Sequence, residues 1–144
     1  MSIQSATPTE CAALDEWFKA LPVPLSVLVV DDYQDDREMM KCFLMSKSIN
    51  VLSAVDAKQA IELACSHLPD IIIMDIYMPE NSGIDATIRL KELASTRHIP
   101  ILALSNDGDN PSLYRDAIDA GCSNCLVKTV TLFELLSSIR NTLS

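Results

Sequence analysis

The sequence predicts an α/β fold in which helices cover both faces of a central parallel sheet. From residue 25 onward, short apolar runs alternate with longer amphipathic segments, a pattern typical of repeated strand-helix units. Most of the short runs are continuously apolar, as expected for strands that are buried on both faces. The chain has 144 residues, of which 49% are hydrophobic, so we expect one core and a single domain of this class.

Five strands are predicted from the apolar runs. They are Val27–Val30, Asn50–Ala54, Ile71–Met74, Ile101–Leu104 and Cys125–Val127. A helical segment follows each run, and a crossover helix brings the next strand back parallel to the last one. The sheet is therefore predicted to lie at the centre of the domain.

Three of the intervening helices carry recognisable start signals. In two of them a capping residue precedes Gln or Glu by three positions, and in the third a proline occupies the first helical position. The signals are Asp56 with Gln59, Thr131 with Glu134, and Asn110 before Pro111.

The last predicted helix has one apolar face. Its large aliphatic residues recur at steps of three and four, which places them on a single stripe. They are Leu132, Leu135, Leu136, Ile139 and Leu143. We expect this stripe to pack on the sheet and to close the domain.

Residues 1–24 form a separate N-terminal extension in this interpretation, and residues 25–144 form the domain. Pro22 and Pro24 interrupt the chain just before the first strand, which favours a boundary there. A short helix is predicted between Thr9 and Leu21, with one side lined by Ala12, Ala13, Trp17, Phe18 and Leu21. The helix is expected either to pack on its own domain or to dock a partner. A disordered tail is the remaining alternative for this segment.

The chain is acidic overall. Eleven Lys and Arg residues stand against twenty Asp and Glu residues, which gives a formal net charge of −9 at pH 7. Such a charge repels phosphate backbones, so nucleic acid is not expected as a partner. The composition favours cations and proteins with basic surfaces.

No segment is typical of a membrane anchor or a secretory signal. The longest apolar runs are strand-sized, whereas a bilayer-spanning helix needs about 20 apolar residues. The N-terminus lacks a basic segment followed by an apolar one. We therefore expect no membrane association and a cytoplasmic location.

Five cysteines are scattered along the chain. An odd number in a chain of this length does not resemble a disulfide framework, so reduced thiols are expected. Cys122 and Cys125 have the spacing of a redox pair, but such a pair belongs at a helix start, and these residues lead into a strand. Both are expected to be packing residues.

Polar residues follow four of the predicted strands. They are Asp31 and Asp32, Asp75, Ser105, and Lys128. The carboxyl ends of parallel strands meet at one edge of the sheet, where ligands bind in folds of this class. Three ionised carboxylates at one point require a cation, and Mg²⁺ fits best because it takes few carboxylates and completes its shell with water and phosphate oxygens.

Ser105 and Lys128 would add a hydroxyl donor and a positive charge to the acid cluster. Together these groups suit a phosphoryl group held beside the metal. An aspartate can act as nucleophile toward phosphorus. Asp75 is the candidate, since no Lys or Arg lies within three residues of it to form a local surface pair.

From about residue 25 to residue 144, the sequence resembles the receiver domain of bacterial two-component response regulators. Five elements carry the resemblance in the expected order. They are Val30-Asp31-Asp32; Asp75-Ile-Tyr-Met78-Pro79 with Gly83; Leu104-Ser105; Ala120-Gly121; and Leu126-Val127-Lys128. The resemblance implies a flavodoxin-like doubly wound sheet of order 2-1-3-4-5 with five helices, to which the N-terminal helix is an addition.

The resemblance also implies roles for the residues at the sheet edge. Asp75 would be the phosphoacceptor, and Asp31, Asp32 and Asp75 with the backbone carbonyl of Tyr77 would bind Mg²⁺. Ser105 would be the switch hydroxyl and Lys128 the cation that contacts the phosphoryl group. Such a domain is a signalling module and not an enzyme, apart from catalysing its own phosphorylation and dephosphorylation.

The implied partners are a histidine kinase or a histidine phosphotransfer protein as donor, and a downstream protein target. The surface formed by the domain's fourth helix, fifth strand and fifth helix would report the change. No output domain follows Ser144, so we expect a stand-alone regulator of the chemotaxis or phosphorelay kind, either monomeric or weakly dimeric. The alternatives are a receiver cut from a hybrid histidine kinase and a degenerate receiver that binds partners without phosphorylation. A phosphatase of the haloacid dehalogenase type is disfavoured, because it needs an acid where Tyr77 stands.

Three positions depart from the family pattern. Cys125 stands where the family usually has Tyr or Phe, Thr129 replaces the proline after the lysine, and Asn106 replaces a small residue after the switch serine. These residues are expected to alter the switch or the entrance to the site. Tyr77 and Asp107 flank the expected route of an attacking water, so we expect them to set the lifetime of the phosphoryl group.

Overall fold

A computed structural model places five parallel strands between two layers of helices. The structure describes residues 7–79, 82–106, 111–128 and 130–144. The strands are β1 (Ser26–Val30), β2 (Asn50–Ala54), β3 (Ile71–Asp75), β4 (Ile101–Ser105) and β5 (Asn124–Val127). The helices are α1 (Pro8–Lys19), α2 (Gln34–Ser46), α3 (Ala57–His67), α4 (Ser82–Glu92), α5 (Pro111–Ala120) and α6 (Leu132–Leu143).

The sheet order is β2-β1-β3-β4-β5, and every pairing is parallel. The predicted fold class is confirmed, with five helices around the sheet and an additional N-terminal helix. The predicted strands are correct to within one residue at each end. They are too short where a polar residue such as Asp75 or Ser105 continues the ladder, because the apolar pattern stops before the hydrogen bonding does.

Successive residues of the strands face two separate apolar clusters. In β1, Leu28 and Val30 pack with residues of α3, α4 and α5, whereas Val27 and Val29 pack with residues of α1, α2 and α6. All five residues of β3 are buried. Two such faces explain why the strands are continuous apolar runs, since helices cover the sheet on both sides.

The predicted helix starts agree with the described residues. Asp56 caps α3 and accepts a hydrogen bond from the Gln59 amide at 2.8 Å. Thr131 and Glu134 form a reciprocal capping box at the start of α6. Helix α5 begins at Pro111, and Asn110 lies outside the described residues.

The apolar stripe of α6 packs on the sheet as predicted, except at its first member. Leu135, Leu136 and Ile139 are at most 3% exposed, and Leu143 is half-buried against the same cluster. Leu132 is 44% exposed, because the helix has only just begun and its first turn stands at the rim of the domain.

The N-terminal helix packs on its own domain. Thr7 caps α1, and Leu14 and Phe18 are buried against α6 and the neighbouring core residues. The predicted face was wrong at Ala12 and Ala13, which are exposed. Helix α1 contacts the core through residues spaced three and four apart, namely Leu14, Phe18 and the half-buried Trp17 and Leu21. The two alanines lie outside this stripe.

Asp15 of α1 also forms an ion pair with Lys47 at the end of α2, with the two charged atoms 3.2 Å apart.

The division of the chain at residues 24 and 25 stays a prediction. Among the described residues, no helix has both the length and the apolar character to cross a bilayer.

Candidate functional site

The predicted site residues meet at the carboxyl edge of the sheet. Val30 pairs with Met74, Asp75 with Leu104, and Ser105 with Val127. Asp31 and Lys128 directly follow the paired ends of β1 and β5. Parallel pairing in this register therefore brings side chains from four strands to one edge.

Asp31 and Asp75 are oriented in the same way. Each carboxylate accepts a hydrogen bond through Oδ1 from the amide two residues later, Tyr33 at 2.9 Å and Tyr77 at 2.8 Å. These local turns fix both side chains at the strand ends. The Oδ2 atom of each carboxylate is left to face the centre of the site.

Lys128 binds both of these Oδ2 atoms. Its Nζ lies 3.0 Å from Asp31 and 3.2 Å from Asp75, and it also lies 3.2 Å from Oδ2 of Asp36 in the first turn of α2. The Lys128 amide donates to the Ser105 carbonyl at 2.8 Å, which ties the lysine to the end of β4. One cation thus holds three carboxylates together.

Burial and neighbouring charges shift the pKa values of Asp75 and Lys128. Burial raises the pKa of the Asp75 carboxyl, and the charge of Asp31 adds to this, whereas the Tyr77 amide and Lys128 oppose it; the net pKa is raised. Burial alone would lower the pKa of Lys128. The hydrogen bond and charge of Asp31, with the charge of Asp75 and the bond to Asp36, outweigh burial, so the pKa of Lys128 is raised and the lysine is charged at neutral pH.

Gly83 explains how closely α4 approaches the site. A Cβ atom at this position would overlap the carbonyl oxygen of Asp75 and lie 2.6 Å from the Cα of Ile76. The helix therefore rests directly on the backbone that carries Asp75. Any larger residue at Gly83 has to push α4 away from the candidate phosphoacceptor.

The other residues that the sequence predicts at the site differ in how exposed they are. Ser105 is 3% exposed at the end of β4, whereas Asn106 after it is exposed. Tyr77 is 56% exposed beside the acid group, and its amide donates to Asp75 Oδ1. Asp107 and Thr129 lie outside the described residues.

Cys125 and Cys122 have no part in the acid group. Cys125 is half-buried in β5, and burial raises the pKa of its thiol. Cys122 is buried with its sulfur 3.9 Å from the Thr87 hydroxyl, and burial raises its pKa to about 11. Both are free thiols, and both pack in or against the same apolar cluster, as the sequence predicts.

The acid group has the donors that a hard cation prefers. One carboxylate oxygen from each of Asp31, Asp32 and Asp75 lies within 4.8 Å of the others. Two of these residues are buried and Asp32 is exposed, so the group opens to solvent on one side. An all-oxygen set with an open side fits Mg²⁺, which keeps several waters and is held by a few carboxylates together with phosphate oxygens.

Sequence reasoning missed Asp36. Its partner Lys128 is 92 positions away, so no local pattern relates the two residues. The one available signal was the pair of acids, Asp35 and Asp36, in the first turn of the helix that follows the acidic strand end. Acids are common in first turns because they favour the helix dipole, so that signal alone does not indicate a site.

A family model and several known proteins match this chain. The family model for the response regulator receiver domain matches residues 27–140. The response regulator PleD of Caulobacter vibrioides is 31% identical over 118 residues, which cover 80% of this chain but only 25% of PleD. The chain thus spans about a quarter of the length of this relative.

Other relatives match over nearly their whole length. The polar-differentiation response regulator DivK of Brucella anthropi is 27% identical over 122 residues, covering 83% of this chain and 96% of DivK. The Vibrio cholerae chemotaxis protein CheY4 superposes with a TM-score of 0.77 at 26% identity, covering 83% of this chain and 98% of CheY4. Because the family model matches residues 27–140, which is most of the chain, this chain belongs to the response regulator receiver domain family.

Proposed function

We propose that the chain accepts a phosphoryl group on Asp75 from a phosphohistidine donor, with Mg²⁺, and signals to a protein partner by a change of conformation. The observation that carries the proposal is the setting of Asp75. Its carboxylate is buried at the sheet edge, fixed by the Tyr77 amide, and lies 3.2 Å from the Lys128 ammonium. A positioned carboxylate beside a cation is equipped to attack phosphorus and to neutralise the charge that arrives with it.

Asp31, Asp32 and Asp75 would hold the Mg²⁺ ion, with the Tyr77 carbonyl as the remaining predicted ligand. When bound, the ion supplies positive charge that offsets both the carboxylates and the phosphoryl oxygens. The close approach of the three carboxylates supports this assignment. In the described structure Lys128 alone neutralises the buried members of the group.

The chain's own residues would align the reacting atoms. The Tyr77 amide restrains Oδ1 of Asp75, which leaves Oδ2 to form the new bond to phosphorus. That O–P bond forms as the P–N bond to the donor histidine breaks, and the imidazole keeps the electron pair and is protonated from solvent. The Lys128 ammonium then stabilises the added negative charge.

Ser105 and Lys128 would also transmit the change of conformation from the phosphorylated site to the rest of the domain. The phosphoryl group carries up to about two negative charges in place of the single charge of the Asp75 carboxylate, and this more negative group draws both residues toward it. Ser105 ends β4 and its carbonyl accepts the Lys128 amide, so movement of either residue affects β5. The surface formed by α5, β5 and α6 is the proposed place where a partner distinguishes the two states.

The proposed donor is a histidine kinase or a histidine phosphotransfer protein, and the proposed target is another protein. The net charge of −9 supports protein partners over nucleic acid. We propose a cytoplasmic module that acts as a monomer or weak dimer and has no activity beyond its own phosphorylation and dephosphorylation.

Incubation with acetyl phosphate and Mg²⁺ tests the proposal without a donor protein. The intact mass should rise by one phosphoryl group in the wild type, and the rise should be absent in Asp75→Asn and in EDTA. Asp70→Asn is the matched control, since Asp70 lies at the opposite end of β3 and bonds the Ser26 amide. An unmodified wild type, or equal modification of Asp75→Asn, would refute the proposal.

A second role, as the receiver part of a longer protein such as a hybrid histidine kinase, is favoured by the match to PleD, of which the chain spans a quarter. The chemistry at Asp75 is the same in both roles. Detection of the native protein in its own cells with an antibody to this domain distinguishes them, because the stand-alone regulator runs at the 15.8 kDa of this chain.

A further inference from the structure

We propose that Asp36 is a positioning residue that holds the Lys128 ammonium toward α2 and competes with the phosphoryl group for it. The inference rests on the proposed function of Asp75 and deepens it, since it concerns how readily the site takes up an anion. Its basis is the contact of 3.2 Å between Lys128 Nζ and Asp36 Oδ2.

The donors of Lys128 are fully used in the described structure. An ammonium group has three N–H donors. Three carboxylate oxygens accept from it, those of Asp31 at 3.0 Å, Asp36 at 3.2 Å and Asp75 at 3.2 Å. A phosphoryl oxygen that contacts Lys128 therefore has to replace one of these acceptors.

Asp36 is the acceptor that is easiest to release. Its side chain is 40% exposed, whereas those of Asp31 and Asp75 are 7% and 3% exposed. An exposed carboxylate that loses its cation is hydrated by solvent, but the buried Asp31 carboxylate would be left unpaired at low dielectric. Asp75 carries the phosphoryl group on the same Oδ2 atom that contacts Lys128, so an ammonium held by Asp36 has to turn toward the oxygens bound there. Asp36 also stands outside the group formed by Asp31, Asp32 and Asp75, so it remains available to Lys128 when that group takes a cation.

The position of Asp36 is fixed by its helix. It lies in the first turn of α2, where an acidic residue is favoured by the helix dipole. The neighbouring Arg37 donates from Nη1 to the backbone carbonyl of Asp31 at 2.9 Å, which holds this turn against the end of β1. The carboxylate is thus presented to Lys128 by a rigid element.

Removing the Asp36 charge should move two affinities in opposite directions. An anion at Asp75 should bind more tightly, because Lys128 is released and one repelling charge is gone. Mg²⁺ should bind more weakly, because the site loses a nearby negative charge. A variant that merely damaged the local structure would weaken both ligands.

The test compares Asp36→Asn with Asp35→Asn. The control residue is in the same helical turn, is exposed and carries the same charge, but it accepts a hydrogen bond from the Tyr33 hydroxyl and does not contact Lys128. Beryllofluoride is titrated at saturating Mg²⁺ and followed by ¹⁹F NMR, and Mg²⁺ alone is titrated by calorimetry.

We expect Asp36→Asn to bind beryllofluoride about threefold more tightly than the wild type, as for the loss of a partly exposed ion pair. Its Mg²⁺ affinity should fall about twofold, and Asp35→Asn should bind beryllofluoride within about 1.5-fold of the wild type. Equal beryllofluoride affinity in the two variants, or weaker binding in Asp36→Asn, overturns the role of Asp36 and leaves Asp75 as the proposed acceptor. A wild type that binds no beryllofluoride overturns both.

Discussion

The Nζ atom of Lys128 lies 3.2 Å from the Oδ2 atom of Asp75, although 53 positions separate the two residues. They follow or end strands that are not neighbours, because β4 lies between β3 and β5. The lysine amide is bound to the Ser105 carbonyl of that intervening strand, so its side chain reaches across β4 to the acids. One cation therefore neutralises carboxylates from two strand ends and from α2.

Replacing Lys128 by Met should destabilise the metal-free protein. The substitution leaves the buried carboxylates of Asp31 and Asp75 without a cation, so the free energy of unfolding should fall by about 2 kcal/mol. Mg²⁺ should restore more stability to this variant than to the wild type, because the ion then replaces the missing charge. Urea denaturation with and without Mg²⁺ measures both effects.

Lys47→Met is the matched control for this experiment. Lys47 forms a single ion pair with Asp15, and both side chains are about a third exposed, so its loss should cost less than about 1 kcal/mol. If the two substitutions lowered the free energy of unfolding equally, Lys128 would not be neutralising a buried charge.

Asp75→Asn should stabilise the metal-free protein at neutral pH. Burial raises the pKa of Asp75, which means that the folded state disfavours the charged carboxylate, and a neutral isostere removes this cost. The cost is present above the folded pKa and declines as the pH falls through it toward the unfolded value. The stability advantage of Asp75→Asn should therefore shrink on acidification.

Thermal unfolding of both proteins across this pH range measures the difference. Asp119→Asn, which changes an exposed acid of α5, should match the wild type throughout. An Asp75→Asn variant that is less stable than the wild type at neutral pH without Mg²⁺ would contradict the raised pKa.

Gly83→Ala should loosen the contact between α4 and the site. The new methyl group would overlap the Asp75 carbonyl and lie 2.6 Å from the Ile76 Cα, and both are backbone atoms that cannot turn aside. We expect a loss of about 2 to 3 kcal/mol and weaker Mg²⁺ binding, because Asp75 has to shift. Ile88→Ala on the exposed side of the same helix is the control, and equal stability of the two variants would show that α4 does not rest on this backbone.

Phe18→Ala should show how strongly α1 is attached. Phe18 is 5% exposed against the core, so its truncation should cost about 3 kcal/mol in chemical denaturation. Val23→Ala removes methyl groups from a side chain that is 71% exposed and should cost little. If Phe18→Ala proved as stable as Val23→Ala, α1 would not be packed on the domain in solution.

The strands and the edge residues could be predicted from the sequence because each depends on its own neighbourhood. A continuous apolar run such as Ile71–Met74 identifies a buried strand, and the polar residue after it must then lie at the carboxyl edge. Helix starts were equally local, since the capping box of Thr131 and Glu134 lies within one turn.

The features that could not be predicted depend on residues far apart in the chain. The contacting face of α1 is set by a groove that includes Phe43, Phe133 and Leu136, so Leu14 and not Ala13 meets the core. The pairing of Asp36 with Lys128 requires α2 and the end of β5 to meet, which only the folded sheet order establishes.

The most direct test of the account is to locate the phosphoryl group in the chain. After reaction with acetyl phosphate and Mg²⁺, borohydride reduction converts an aspartyl phosphate to homoserine, which peptide mass spectrometry can assign to a position. We predict homoserine at position 75 in the wild type, and none when Mg²⁺ is withheld. Homoserine at another aspartate, or none at all in the complete reaction, would contradict the assignment of Asp75 as the phosphoacceptor.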